Sequence, residues 1–443
     1  MTKAGKYYPW VVVALLIALY TSSFIDRSIF GLLVKPIRAD LNINDTQYSL
    51  LAGFAFAVMY TFAAIPLGWI VDNGSRRMLI AVGCAVWSLM TALCGMANSF
   101  GTLFAARVGV GIGEAALSPA AYSLLSDLFP REKLARALSF YSLGIPVGSG
   151  LALIIGGSVV DYFAGLTIDL PVIGTPQPWQ VVFLVIGLPG LLLALMTPLI
   201  IREPERQGTK DAAGNLERPG LLAVLRFIIQ KRGIYLTVIG AVTFNALGCY
   251  GALAWTPTYL QRVYEFSARD AGIFLGTSTL VLGIPGTLLS GWMADRLIMR
   301  GRNDGHLLVC IFYLAGFLIC GCIAPIIPDR GVSLFILAGA GFFVFTWTGV
   351  STALLQIVTP VRMRGQMSAL YLFSVSLVGI GLGPTAMGAA TDYIFESDLA
   401  VGKSIALVGI LSVSVAIGLM FYARKYLPKT GITPDAVQAV AAA

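Results

Sequence analysis

Apolar positions along this chain fall into long blocks separated by short connections that hold most of the charge. A helix rises 1.5 Å per residue, so a block of about 20 apolar residues crosses a hydrocarbon core about 30 Å thick. Twelve such spans are predicted, at 9–33, 46–71, 77–98, 102–126, 134–161, 179–201, 233–260, 271–295, 306–327, 332–358, 365–393 and 401–423. The expected fold is an all-α membrane protein of twelve transmembrane helices. The longest connection, 202–232, holds seven Lys and Arg and separates a six-helix bundle at 1–201 from a second at 233–426. Within it, Leu221 to Ile229 with its flanking bases reads as a short helix lying on the membrane surface. The tail at 427–443 is expected to be disordered.

The halves repeat. Gly68-Trp-Ile-Val-Asp72 closes the second span, and Gly291-Trp-Met-Ala-Asp295 closes the eighth, 223 residues later. The fifth span follows Pro130, carries Ser139 and Pro146 and ends in Asp161-Tyr162; the eleventh follows Pro360, carries Ser368 and Pro384 and ends in Asp392-Tyr393, 231 residues on. Two pseudo-symmetric six-helix bundles related by an axis normal to the membrane are the organisation of the major facilitator transporters, which the chain resembles.

Composition agrees. The chain is 57% hydrophobic and only 12% charged, with a mean hydropathy of +0.83, against about 25% charged in a soluble domain. The net charge of +8 is explained by topology rather than by a nucleic-acid partner: of 30 Lys and Arg, 22 lie on the side shared by both termini, 6 on the other side and 2 inside spans. The positive-inside rule then places both termini in the cytoplasm, in a multi-pass protein of the cell's inner membrane. Lys3 and Lys6 precede an apolar run too long for a signal peptide and without a small-x-small cleavage site, so an uncleaved first helix is expected. The six cysteines lie in apolar runs without CxxC spacing, which speaks against disulfides and metal sites. The one histidine, His306, is expected to be a solvated interfacial residue rather than a proton switch. No GxxxxGK[ST], HExxH or nucleophile elbow occurs, so an enzyme is not indicated and active transport has to draw on an ion gradient, with no cofactor.

The fourth span carries the candidate chemistry. Arg107 and Glu114 lie inside its apolar run, where a charge costs roughly 2.5–3.5 kcal/mol at the helix centre on an insertion scale. They stand seven residues apart on nearly one face, with Gly109, Gly111 and Gly113 between them. A buried carboxylate with a basic neighbour suits a proton relay; the plainer alternative is a fixed packing charge. The first span is interrupted by Ser22-Ser23-Phe24-Ile25-Asp26-Arg27-Ser28. Counting from the membrane boundaries, Asp26 lies about 25 Å up its helix and Arg107 about 8 Å down from the other side, which gives them a shared depth with Glu114 deeper. An Asp26–Arg107 pair is therefore expected. For Asp26 and Arg27 an interfacial salt bridge that only anchors the helix is the alternative.

Asp72, Arg76 and Arg77 in the connection after span 2, and Asp295 and Arg296 in its repeat, are latch candidates. Asp72 is expected at the start of span 11 near Arg364, and Asp295 at span 5 near Arg136, through the helix dipole. Mere helix termination is the alternative. Glycine with proline in spans 5 and 11 suits bending helices or, equally, tight static packing. Tyr60, Asn245 and Trp347 are candidate polar contacts for a substrate.

Asp26-Arg27, Trp87-Ser88-Leu89, Arg107-x3-Gly111-x-Gly113-Glu114-Ala115, Ile145-Pro-Val-Gly-Ser-Gly150 and Arg202-Glu-Pro together resemble the spinster family of lysolipid and sphingolipid transporters, especially its bacterial members. The resemblance implies a proton-linked carrier in which Asp26, Arg27, Arg107 and Glu114 form the coupling network beside a large amphipathic cavity. One departure is that the superfamily loop has a basic residue and a glycine where this chain has Asn73 and Ser75; the second copy keeps Arg296. The function expected is proton-coupled transport of an amphipathic lipid-like molecule, of lysophospholipid or sphingoid type, by a monomer working through alternating access. A small organic anion or drug carrier on the same scaffold is the rival, and a non-transporting receptor or scaffold the reading from another class.

Overall fold

In a computed structural model, residues 7–163, 174–204, 221–360 and 363–427 are described, without the side chains of Asp72, Arg131, Glu132, Ala135, Leu221, Leu222, Ala223 and Gly365. Among them, twelve helices are long and apolar enough to cross a membrane: Tyr8–Leu32, Asp45–Val71, Arg76–Cys94, Phe100–Leu128, Arg136–Phe163, Pro178–Ile200, Arg232–Val263, Ala268–Met299, Gly305–Ile326, Arg330–Val358, Gln366–Ile394 and Asp398–Tyr426. We number these spans 1 to 12. Their ends agree with the hydrophobic blocks to within about four residues. The segment expected to form a short helix is helical, at Leu221–Gln230. The tail beyond Leu427 and much of the linker lie outside the described residues.

Local chemistry sets the helix starts. Before span 2, the Asn44 side chain accepts from the Gln47 N–H at 2.8 Å while the Gln47 side chain accepts from the Asn44 N–H at 3.1 Å. This reciprocal pair satisfies two donors that a helix start leaves open. Ser99 and Thr102 do the same for span 4. Several spans depart from α geometry. Span 2 opens into a π segment at Leu50–Phe54, span 8 at Thr279–Gly283 and span 11 at Val375–Leu382, within its glycine-rich stretch. Span 5 is interrupted at Leu143, three residues before Pro146, whose ring cannot accept an intact preceding turn.

The chain packs as two units. The first comprises Met1–Thr209 with Leu253–Thr277, the second Lys210–Ala252 with Ser278–Ala443. The last third of span 7 and the start of span 8 thus pack with the first six helices, a grouping that the division at 202–232 does not contain. Within the first unit this segment is fastened at several points. Thr258 Oγ1 donates to the Gly31 carbonyl at 3.2 Å, and Arg262 grips Asp45 through both guanidinium nitrogens, at 2.6 and 2.7 Å. Arg38 reaches the same carboxylate at 2.8 Å.

The internal repeat reappears as a contact. Ser118 and Tyr141 hydroxyls meet at 3.4 Å across spans 4 and 5 of the first unit; Ser351 and Tyr371 meet at 3.2 Å across spans 10 and 11 of the second. Hydroxyl pairs of this kind join helices where lipid-like surroundings supply no hydrophobic drive for association.

Candidate functional site: a buried charge cluster in the first unit

Span 4 can bring its charges to a neighbour only where the backbones come close, and its glycines permit that. A Cβ on Gly111 would sit 2.5 Å from the Phe56 carbonyl oxygen of span 2, and one on Gly113 would sit 2.6 Å from the Trp87 nitrogen of span 3. Glu114, the next residue, is 1% exposed. Its Oε2 accepts from Ser23 Oγ at 2.6 Å and from Arg27 Nε at 2.6 Å, with the second Arg27 nitrogen at 2.5 Å. Its Oε1 is buried without a hydrogen-bond partner.

Asp26 is 2% exposed. Thr91 on span 3 donates to its Oδ2 at 3.1 Å, and its Oδ1 has no partner. Glu114, Arg107 and Arg27 are its charged neighbours. Two carboxylates and two guanidiniums are therefore gathered in one interior region, with one oxygen of each acid unsatisfied. Unpaired buried polar atoms are costly and rare in native proteins, and they mark positions where a proton or another group can be accommodated.

Arg107 corrects the expected geometry. It is 1% exposed, yet it makes no ion pair among the described residues. Its Nε donates to the Leu51 carbonyl at 3.3 Å and its terminal nitrogen to the Ala52 carbonyl at 3.2 Å. Both carbonyls belong to the π segment of span 2, where the ordinary i to i−4 ladder is interrupted. The face of the guanidinium lies 4.2 Å from the Phe30 ring centroid. Arg107 is thus held by backbone dipoles and a π cloud, not by Asp26. Arg27 likewise passes Asp26 by, because adjacent residues on a helix point about 100° apart; it reaches Glu114 and lies 4.6 Å from the Phe56 centroid and 4.8 Å from that of Tyr60.

Tyr60, one of the candidate substrate contacts, therefore borders the charge cluster. The other two lie in the second unit. Asn245 is 1% exposed with its Nδ2 unpartnered, and its Oδ1 accepts from Cys249 Sγ at 3.5 Å. Trp347 is buried and donates its Nε1 to the Val344 carbonyl at 2.9 Å.

The latch candidates divide differently from expectation. Arg76 is buried and bonded within the first unit: to Glu203 at 2.7 Å, to Ser123 Oγ at 3.0 Å, to the Pro204 carbonyl at 3.0 Å and to Asp127. The backbone N–H of Arg77 also donates to Glu203, at 3.1 Å. Burial raises the Glu203 pKa, but these hydrogen bonds, with one from Ser75, outweigh it and hold the carboxyl below the usual range. Arg136 lies over the Trp10 and Phe140 rings, Arg296 over Trp292, and Arg364 donates to the Thr359 carbonyl at 3.1 Å. Asp295 is exposed, and the Asp72 side chain lies outside the described residues. His306, expected to be solvated, is instead 7% exposed with its Nδ1 unpartnered.

Ser23 and Thr91, which hold the two acids, were not singled out by sequence reasoning. Ser23 offered a signal, one helical turn before Arg27 in the polar interruption of span 1; Thr91 offered none.

The chain belongs to the major facilitator superfamily, whose family model matches residues 16–384. A solved structure titled as a bacterial homolog to the human lysosomal transporter spinster, in an inward-facing and unoccupied conformation, superposes with a TM-score of 0.74 at 26% identity, covering 96% of this chain and 97% of that one. A sphingosine-1-phosphate transporter of Danio rerio is 25% identical over 85% of this chain and 74% of its own length. A probable L-galactonate transporter of Escherichia coli is 24% identical over 91% of this chain and 86% of its own. These likenesses mark a membrane transporter of the spinster type.

Proposed function

We propose that this chain is a proton-coupled secondary transporter of amphipathic, lipid-like substrates, lysophospholipid or sphingoid in type, working by alternating access. It acts as a monomer in the inner membrane, with both termini cytoplasmic and the proton gradient as its energy source. The observation that carries the coupling is the Glu114 carboxyl, clamped on one oxygen by Arg27 and Ser23 and open on the other, beside an Asp26 held by Thr91 alone. A proton placed on Glu114 removes the charge that holds Arg27, freeing a guanidinium from span 1. Arg107, anchored on span 2, supplies a fixed positive charge near both acids. Tyr60, Asn245 and Trp347 are the proposed substrate contacts, and the unpartnered Asn245 amide suits a polar head group. Asp72, Arg77, Arg136, Asp295, Arg296 and Arg364 remain the proposed latch charges. The name of the zebrafish relative supports a lipid-like substrate. The galactonate relative favours a second reading, a small organic anion on the same scaffold.

The test is uptake into proteoliposomes under an imposed pH gradient, with labelled lysophospholipid and labelled hexonate side by side. Gradient-driven lysophospholipid uptake that Glu114→Gln abolishes supports the proposal. Uptake of the hexonate alone transfers it to the second reading, and gradient-dependent uptake unchanged by both Glu114→Gln and Asp26→Asn removes the coupling role.

A further inference from the structure

The second unit carries a set of bases that form no ion pair among the described residues. The helix Leu221–Gln230 docks on that unit by burying Val224 and Ile228 and exposes Leu225, Arg226, Ile229 and Gln230. These exposed positions fall at i, i+1, i+4 and i+5, one stripe of the helix in which apolar and polar side chains run side by side. Such a helix lies in a membrane interface, apolar chains towards the acyl region and bases among head groups.

The helix runs through Lys231 straight into span 7, whose first residue, Arg232, is exposed. There it meets the end of span 12: Gly233 packs on the Tyr426 ring, and Arg232 is a charged neighbour of that phenol. Tyr422 and Tyr426, both about half exposed, share a hydrogen bond of 2.7 Å, and Lys425 Nζ lies 5.3 Å from the Tyr422 centroid. Arg226, Lys231, Arg232 and Lys425 form no ion pair among the described residues. Their neighbour Arg424, by contrast, is committed to Asp304 at 2.6 Å. The contrast matters because a solvated surface normally intersperses charges of both signs.

We propose that this patch binds the phosphate of an anionic glycerophospholipid in the membrane leaflet at which spans 7 and 12 begin and end, as a bound lipid distinct from any transported substrate. The occupant follows from two features. Four bases call for a multiply contacted anion, and the flanking Leu225, Ile229 and tyrosine pair require one whose phosphate continues into acyl chains. Juxtamembrane bases each contribute about 1 kcal/mol to holding an anionic lipid, about a fivefold effect.

The full-length protein in detergent, titrated with phosphatidylglycerol or phosphatidylcholine and observed by native mass spectrometry, tests this. Phosphatidylglycerol adducts are expected at concentrations at least about tenfold lower than phosphatidylcholine adducts, and the preference should vanish in Arg226→Gln/Arg232→Gln/Lys425→Gln. These substitutions fall on exposed side chains, and the wild-type circular dichroism and elution volume check the fold. Equal binding of the two lipids, or an unchanged preference in the triple variant, overturns the proposal. Displacement of phosphatidylglycerol by inorganic phosphate at equal concentration also overturns it, by assigning the patch to a soluble anion.

Discussion

Arg27 of span 1 and Glu114 of span 4 form a buried ion pair at 2.5 Å whose acid is inaccessible to solvent and whose base is 14% exposed. Because the carboxylate is the more deeply buried partner, the two truncations are unequal. Arg27→Gln leaves a desolvated negative charge held by Ser23 alone, whereas Glu114→Gln leaves a guanidinium with a route to water and three aromatic rings around it. Breaking a buried pair costs about 3–5 kcal/mol. We expect Arg27→Gln to lower the thermal midpoint more than Glu114→Gln, and the double variant to regain part of the loss. A double-mutant cycle by thermal unfolding in detergent checks this, and strictly additive effects would contradict it.

The clasp of Asp45 by Arg262 and Arg38 has a local readout. Asp45 has no exposed surface, and Arg262 brings the segment Leu253–Thr277 to it. Asp45→Asn leaves two guanidiniums sharing a neutral amide, at a cost of about 3 kcal/mol, or roughly a hundredfold in opening equilibrium. Hydrogen exchange should accelerate in residues 253–277 and stay unchanged in residues 305–326. Uniform acceleration across the chain would instead mean global destabilisation.

Gly111 sets the approach of spans 2 and 4. A valine there needs space that the Phe56 carbonyl occupies, and overpacking typically costs about 1–3 kcal/mol. Gly111→Val should displace the carbonyls that hold Arg107 and lower stability; Gly101→Val, where nothing lies within 4 Å, should not. Paired thermal melts compare the two.

Glu203 predicts an acid-sensitive joint. Its pKa is held below the unfolded value, so its stabilising contribution is present above the ordinary glutamate pKa of about 4.3 and is lost as pH falls through the folded-state value. Wild-type stability should drop from about pH 4.5 downward more steeply than that of Glu203→Gln. Melting midpoints of both proteins between pH 3.5 and 7 provide the measurement, and parallel curves would exclude the contribution.

Much of the molecule is written locally. Hydrophobic block length determined the twelve spans, because a helix must match the bilayer core and satisfy its own backbone within it. The repeated Gly-x3-Asp and Pro-to-Asp-Tyr patterns showed the two halves, and the cost of charge in an apolar run singled out Asp26, Arg107 and Glu114 before any neighbour was known. Pairing was not written there. Depth along a helix places Asp26 level with Arg107, but partners are chosen by helix rotation and backbone geometry. Arg27 turned to Glu114, and the π segment at Leu50–Phe54 offered Arg107 two carbonyls where a carboxylate was expected.

The sequence by itself determined the number of helices, their order and which positions carry charge into the apolar interior, since each depends on one segment and its solvent. Only the tertiary structure decided which charge meets which, that Arg76 is bonded inside the first unit, and that Leu253–Thr277 packs with helices more than 200 residues before it. Those outcomes depend on the rotation and close approach of helices far apart in the chain, which no single segment encodes.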